Sequence, residues 1–186
     1  MITNKPKKSP AAILAFGLML SIAHSSVARS GVSPSENATP GTAQGTDIHA
    51  IKDAGLQFEL PKGWKAETQE NGNLFVSFED GAASVTFVVE DKYAEVVYGM
   101  KKSLKESLSD LKSDGQPREG THNGMIHISE SGSGLLKEAK VTWSIDVLKA
   151  SKNVTILTFG VDTVMETHTA EYVKFVKSIK KIKSND

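Results

Sequence analysis

Apolar and polar residues alternate with a period of two in several short segments after residue 55, as in β-strands that bury one face. The clearest examples run from Val85 to Val89 and from Val141 to Val147, and a more continuously apolar segment runs from Val154 to Val161. Asn123-Gly124 suits the positive φ angles of a type I′ hairpin turn, and Gly132-Ser133-Gly134 is predicted to form another turn. These patterns predict antiparallel strands joined by tight turns.

Two other segments have the three-to-four-residue period of amphipathic helices. In the first, apolar residues recur from Tyr93 to Leu111, with Asp91 as the predicted N-cap and Gly115 just beyond the predicted end. In the second, a capping-box pattern from Thr163 to Glu166 predicts the start of a terminal helix that extends towards Ile182. The order of strands, long helix, strands and helix predicts an α+β fold, an antiparallel β-sheet with long helices packed on it.

The first 28 residues have the pattern of a signal peptide. Lysines near the start precede an apolar run over residues 11–23, and Ser26-Val27-Ala28 has the small-x-small form of a cleavage site. We expect cleavage after Ala28 and a periplasmic or secreted protein. The run is shorter than the roughly 20 residues that a membrane span requires, and a retained anchor is the alternative.

The composition of the chain after the first 28 residues indicates a flexible linker followed by one folded domain. Residues 29–47 are rich in small and polar residues and cannot bury enough surface to fold, so they are predicted to be a flexible linker. Residues 48–186 are predicted to form a single domain. The chain has no cysteine and therefore no disulfide, thiolate nucleophile or lipid-modified cysteine, which argues against a stable membrane anchor. The 22 basic and 22 acidic residues give no net charge, and this balance disfavours nucleic acid as a partner.

Several segments together resemble one known family. These are Gly55 to Trp64 (GLQFELPKGW), the helical pattern that follows the first strands, the Asn123-Gly124 hairpin and the terminal segment from Tyr172 to Ile182. They resemble the PsbP-like (Mog1/PsbP/DcrB) α/β/α sandwich over about residues 48–183. The resemblance implies a small, non-enzymatic exported module that binds or stabilises another protein or an envelope complex. Some members are lipoproteins, and this chain lacks the cysteine that they carry at the cleavage site.

The residues that could carry chemistry do not converge in the sequence. His122, His127 and Glu130 are close enough to be considered as metal ligands, but the odd spacing of His127 and Glu130 places them on opposite faces of a regular strand. We interpret both histidines as solvent-exposed turn and strand residues. Ser131 to Gly134 lacks the pattern of a nucleophile elbow, and His168 with Glu171 is interpreted as a surface pair on a helix. The sequence therefore assigns no catalytic residue, metal ligand or cofactor.

Two other functions remain open at this point. A small-molecule or lipid carrier would use a cavity between the sheet and the long helix, lined by Met100, Met125 and Met165. A metal-dependent hydrolase would use His122 or His127. Trp64 and Trp143 are predicted to lie in the core. The basic residues near the C-terminus are interpreted as the solvated face of a helix, with contact to an anionic membrane as the alternative; they are Lys174, Lys177, Lys180, Lys181 and Lys183.

Overall fold

The computed structural model of the protein describes residues 47–78 and 81–183. Its strands are β1 (Asp47–Ile51), β2 (Leu56–Leu60), β3 (Lys65–Thr68), β4 (Leu74–Ser77), β5 (Ala83–Val89), β6 (Ser109–Ser113), β7 (Arg118–His122), β8 (Met125–Leu136), β9 (Ala139–Lys149), β10 (Asn153–Val161) and β11 (Lys180–Lys181). Its α-helices are α1 (Tyr93–Ser107), α2 (Asp162–Thr167) and α3 (Thr169–Ser178).

The strands form two antiparallel sheets. The large sheet has the order β3-β4-β5-β10-β9-β8-β6, with β7 also paired to β8, and the small sheet has the order β1-β2-β11. Strand β10 lies at the centre of the large sheet and is buried from Val154 to Gly160, which explains its continuously apolar sequence. The Asn123-Gly124 hairpin is confirmed, with φ angles of 46° and 75°.

Alternation along the central strands creates one core on each face of the large sheet. Ile156 belongs to the core beneath α3 and the small sheet, whereas its neighbour Leu157 belongs to the core beneath α1. The tryptophans are both buried as predicted, Trp64 in the first of these cores and Trp143 in the second. This layering is the predicted α/β/α sandwich.

The prediction of long helices is wrong. Helix α1 has 15 residues and ends at Ser107, because Leu108 adopts extended backbone angles (φ −113°, ψ 138°). Residues Ser109–Ser113 then form β6, which pairs with β8, and Asp110 at φ 48° accommodates an irregularity in the register. Leu108 stays buried after the helix has ended, so its apolar character reflects packing and not helical continuation.

The Gly132-Ser133-Gly134 segment is not a turn, because it lies inside β8. An added Cβ at Gly132 would lie 2.0 Å from the Lys112 carbonyl oxygen and 2.5 Å from the Trp143 ring. Gly132 therefore permits a close approach of β6 and Trp143 to β8. The chain turns later, between β8 and β9, where Lys137 has a φ of 59°.

The predicted helix ends also need correction. Neither α1 nor α2 has a side-chain hydrogen bond at its N-cap, so neither the Asp91 cap nor the Thr163–Glu166 capping box forms. The terminal helix is divided into α2 and α3 and ends at Ser178. It stops there because the following lysines pair with β2 as the short strand β11.

The N-terminal predictions fall largely outside this structure. The signal peptide (residues 1–28) and residues 29–46 of the linker lie outside the described residues, and Asp47 is the first residue of β1. No helix in the described part of the chain has the length and apolar character needed to span a bilayer.

Candidate functional site

Polar and ionisable side chains collect on the face of the large sheet that α3 covers. Strand pairing places Ser129 of β8 opposite Asp146 of β9, and Ser144 opposite Thr158 of β10. His127 lies on the same face as Ser129 because side chains two residues apart in a strand share a face. Tyr172 reaches this group from α3. We call His127, Ser144, Asp146, Thr158 and Tyr172 the polar network.

Asp146 is the centre of the polar network. His127 Nε2 donates to Asp146 Oδ1 at 2.7 Å, and Ser144 Oγ donates to Asp146 Oδ2 at 2.8 Å. The side chains of His127 and Asp146 are 28% and 19% exposed, so the pair is largely removed from water. A charge-assisted hydrogen bond in such surroundings fixes the positions of both side chains.

Tyr172 connects the polar network to α3. Its hydroxyl group lies 3.0 Å from Thr158 Oγ1. Burial raises the pKa of the Tyr172 phenol above its usual value of 10.0; the hydrogen bond to Thr158 lowers it, and the nearby Asp146 carboxylate adds to the rise. The phenol is therefore held in its neutral form more strongly in the folded protein than in the unfolded chain.

This shift predicts a loss of stability at alkaline pH. Above about pH 10 the unfolded chain releases the Tyr172 proton while the folded protein retains it. The stabilisation is therefore present below pH 10 and is lost as the pH rises through the higher pKa of the folded state. In urea unfolding measured from pH 8 to 11, stability should fall less steeply for Tyr172→Phe than for the wild type. At pH 8 this variant should lose about 1 kcal/mol with the Thr158 hydrogen bond. Identical slopes for the two proteins would contradict the assignment.

The β7–β8 hairpin holds the C-terminal end of α3. Asn123 Nδ2 donates to the carbonyl oxygens of Ile179 at 2.7 Å and Lys177 at 3.0 Å. His122 Nε2 donates to the same Ile179 oxygen at 3.1 Å. These bonds satisfy carbonyls that the end of a helix leaves without intrahelical partners. We call the bonds from Asn123 and His122 to these carbonyls the Asn123 clamp. The His122 ring also lies 6.0 Å from the ring of His127, so the Asn123 clamp and the polar network are adjacent.

An open groove lies beside the Asn123 clamp, between the C-terminal half of α3, β2 and the β7–β8 hairpin. Its lining residues are Glu59, Asn123, Lys174, Lys177, Ser178 and Lys180. Ser178 Oγ accepts the backbone N–H of Glu59 at 2.9 Å and donates to the Phe175 carbonyl at 2.7 Å. The neutral side chains that line the groove, Asn123 and Ser178, are thus hydrogen-bonded to the backbone. The lysine ammonium groups are the donors in the groove that can bind a ligand.

The structure separates Glu130 from the two histidines that were considered with it as metal ligands. His127 and Glu130 face opposite sides of β8 as predicted, since Glu130 forms an ion pair with Lys101 of α1. The interpretation of His122 and His127 as solvent-exposed residues is wrong, because both are partly buried and hydrogen-bonded. In residues 47–78 and 81–183 no three histidine, aspartate or glutamate side chains are grouped as metal ligands would be.

The order of groups in the polar network differs from that of a nucleophilic triad. In a triad, a serine hydroxyl contacts a histidine, which a carboxylate orients on its other side. Here Ser144 and His127 both donate to Asp146, so the imidazole does not receive the serine proton. Ser131 Oγ donates to Asp114 Oδ2 at 2.8 Å and likewise contacts no histidine.

The three methionines that were expected to line a carrier cavity are not brought together. Met100 lies in the core beneath α1, whereas Met125 and Met165 belong to the core on the opposite face of the sheet. The three methionines therefore do not line one cavity. The ring of His168 packs against Phe78, with 5.4 Å between the ring centroids, so His168 is a partly buried packing residue.

Sequence reasoning missed Asp146, Ser144, Tyr172 and the Asn123 side chain as members of a site. The alternation in β9 shows that Ser144 and Asp146 share a face. However, the helix that covers this face comes from a segment more than twenty residues later. The sequence signal that could have indicated the site is the pair Ser144 and Asp146, two polar residues on one face of an otherwise apolar strand.

The comparisons with known proteins concern the fold. Comparison with protein-family models and with curated proteins gives no match. Among solved structures, the chain is similar to the cyanobacterial PsbP protein (CyanoP) from Synechocystis sp. PCC 6803, with a TM-score of 0.52 and 12% identity over 78% of this chain and 98% of that one. LpqN, a protein involved in cell envelope biogenesis of Mycobacterium tuberculosis, aligns with a TM-score of 0.46 and 12% identity over 74% of this chain and 86% of LpqN. The PsbP-like fold that the sequence resemblance predicts is confirmed.

Proposed function

We propose that this protein is an exported accessory module of the cell envelope that acts by binding another protein or a protein complex, and not by catalysis. The observation that carries the proposal is the arrangement of the polar network. Its imidazole and hydroxyl groups hold Asp146 and α3 in place, and among residues 47–78 and 81–183 no serine hydroxyl is hydrogen-bonded to a histidine. The PsbP-like fold and the signal-peptide pattern of residues 1–28 support the same proposal.

The outer face of α1 offers a surface for such a partner. Val96, Met100 and Leu104 of α1 are buried against the sheet, whereas Tyr98 is 72% exposed. An aromatic side chain in water exposes apolar area that is usually buried, and tyrosine is enriched among the residues that dominate protein–protein binding energy. Tyr98 is therefore the proposed contact residue.

Capture from native cells tests this function. The tagged protein, expressed with its own N-terminal segment, is cross-linked briefly and purified from the envelope fraction. We expect one enriched protein partner, with recovery reduced about tenfold by Tyr98→Ala, which corresponds to about 1.4 kcal/mol. Glu166→Ala, an exposed substitution on α2, is the control and should leave recovery unchanged. If no protein is enriched over the tag alone, the proposed function is wrong.

A further inference from the structure

The C-terminal part of the fold concentrates positive charge on one surface. The twelve residues from Tyr172 to Lys183 contain five lysines and no acidic residue, although the whole chain has no net charge. All five lysines are exposed. Where the structure describes side-chain contacts, none of these ammonium groups takes part in an ion pair or a hydrogen bond. We call this the lysine surface; it comprises Lys174, Lys177, Lys180, Lys181 and Lys183.

The fold spreads these lysines over two elements and places apolar side chains among them. Lys174 and Lys177 lie on α3, and Lys180 and Lys181 form β11. Val173 is 40% exposed and lies four residues before Lys177, so it occupies the same side of the helix. Ile182 is 39% exposed and is held beside β2 by its N–H bond to the Gly55 carbonyl at 2.8 Å.

Acidic side chains reduce this charge only in part. Glu59 lies in the groove between Lys174, Lys177 and Lys180, so the groove has three positive groups and one negative group. Glu171 is exposed one turn before Lys174 on α3. Counting both carboxylates, the region still has a net charge of about +3, from five lysines and two glutamates.

The chemistry of this surface favours an anionic bilayer over a protein. Lysine is depleted in protein interfaces, where arginine and aromatic residues are enriched. The segment has no arginine, and its aromatic residues Tyr172 and Phe175 point inwards to Thr158 and the core. Clustered lysines are instead attracted to anionic headgroups by about 1 kcal/mol each. Small exposed aliphatic groups such as Val173 and Ile182 add apolar contact at the headgroup boundary.

We propose that the lysine surface docks the protein reversibly on anionic lipid bilayers. The lysine stems reach headgroup phosphates without a preformed pocket, and the polar network and the Asn123 clamp keep α3 and β11 in fixed positions. This inference concerns a different surface from Tyr98 and does not depend on the proposed protein partner.

Vesicle co-sedimentation of the mature protein tests the inference. Vesicles of phosphatidylcholine with about one third phosphatidylglycerol are compared with pure phosphatidylcholine vesicles. We expect binding to the anionic vesicles at about 0.1 M salt. Binding should be lost at about 1 M salt, where the Debye length falls from about 10 Å to about 3 Å.

Charge reversal locates the binding surface. Lys177→Glu with Lys181→Glu should weaken vesicle binding at least about tenfold, because four units of charge change on the lysine surface. Lys105→Glu with Lys112→Glu is the matched control; it changes net charge equally on α1 and β6 and should weaken binding by no more than about threefold. Alanine versions of both pairs repeat the comparison if charge reversal lowers the melting temperature.

Three outcomes would overturn the proposal. The first is equal binding to neutral and anionic vesicles, and the second is an equal loss of binding in the two double variants. The third is an absence of binding to the anionic vesicles at about 0.1 M salt; capture of an acidic protein that Lys177→Glu with Lys181→Glu abolishes would then assign the lysine surface to a protein partner. Since the Tyr98 experiment measures protein capture through another surface, either proposal can fail while the other stands.

Discussion

Replacing Phe175 with alanine should lower the free energy of unfolding by about 3–5 kcal/mol, because it removes a large buried ring and leaves a cavity. Phe175 is 1% exposed and is the buried residue of α3. Its ring centroid lies 5.2 Å from Phe58, 5.2 Å from Trp64 and 6.2 Å from Phe87. The side chain thus joins α3 to the small sheet, to the segment after β2 and to the large sheet.

Urea unfolding followed by circular dichroism measures this effect. The midpoint should fall while the slope with denaturant stays constant, as expected for a change in native-state stability alone. Val173→Ala is the matched control, since Val173 belongs to the same helix and is 40% exposed. Its effect should stay within about 0.5 kcal/mol. Similar losses for the two variants would contradict the placement of α3.

Replacing Gly132 with alanine should destabilise the protein by about 1–3 kcal/mol or more, through overpacking. The new Cβ would lie 2.0 Å from a backbone oxygen of β6 and 2.5 Å from the buried Trp143 ring. The backbone oxygen cannot move aside without separating β6 from β8, and Trp143 is 3% exposed in the core beneath α1.

Gly120→Ala provides the control for Gly132→Ala. Gly120 lies in β7, which pairs with the same edge of β8 as β6 does. A Cβ added at Gly120 meets no atom within 4 Å. Thermal unfolding should show a clear loss for Gly132→Ala and a change within about 0.5 kcal/mol for Gly120→Ala. If both variants unfold at the wild-type temperature, β6 and Trp143 do not approach Gly132 as closely as described.

Local patterns predicted the strands β5, β9 and β10 and the burial of several residues. The alternation in β9 identifies Val141, Trp143 and Ile145 as one buried face. Asn123-Gly124 defines its hairpin because the positive φ angles are a property of the dipeptide itself. These features depend on neighbours in the sequence, and the structure confirms them.

The end of α1 could not be predicted from a local pattern. Leu108 and Leu111 continue the spacing of the helical apolar residues, but the edge of β8 opposite β9 is paired along residues 132–135 only by β6. The hydrogen bonds that β6 forms with this edge of β8 stabilise the chain more than another turn of α1 would. The interpretation of Gly132 failed for the same reason, since the atoms that exclude a side chain belong to distant segments.

The candidate site depends even more on long-range contacts. His127 and Asp146 are 19 residues apart and meet through the register of two strands. Asn123 and Ile179 are 56 residues apart, and the clamp exists only after α3 has packed on the sheet. The lysine surface was visible in the sequence, but the assignment of all five lysines to a helix was wrong, because Lys180 and Lys181 form β11.

We propose that the surface of the protein performs its function, whereas the polar network stabilises the fold. The most direct test places His127→Gln beside Tyr98→Ala in the capture experiment. Glutamine retains an N–H donor for Asp146 but removes the imidazole base. We expect His127→Gln to capture the partner as the wild type does and Tyr98→Ala to capture about tenfold less of it. If His127→Gln loses capture at wild-type stability while Tyr98→Ala captures normally, the polar network and not the outer face of α1 performs the function.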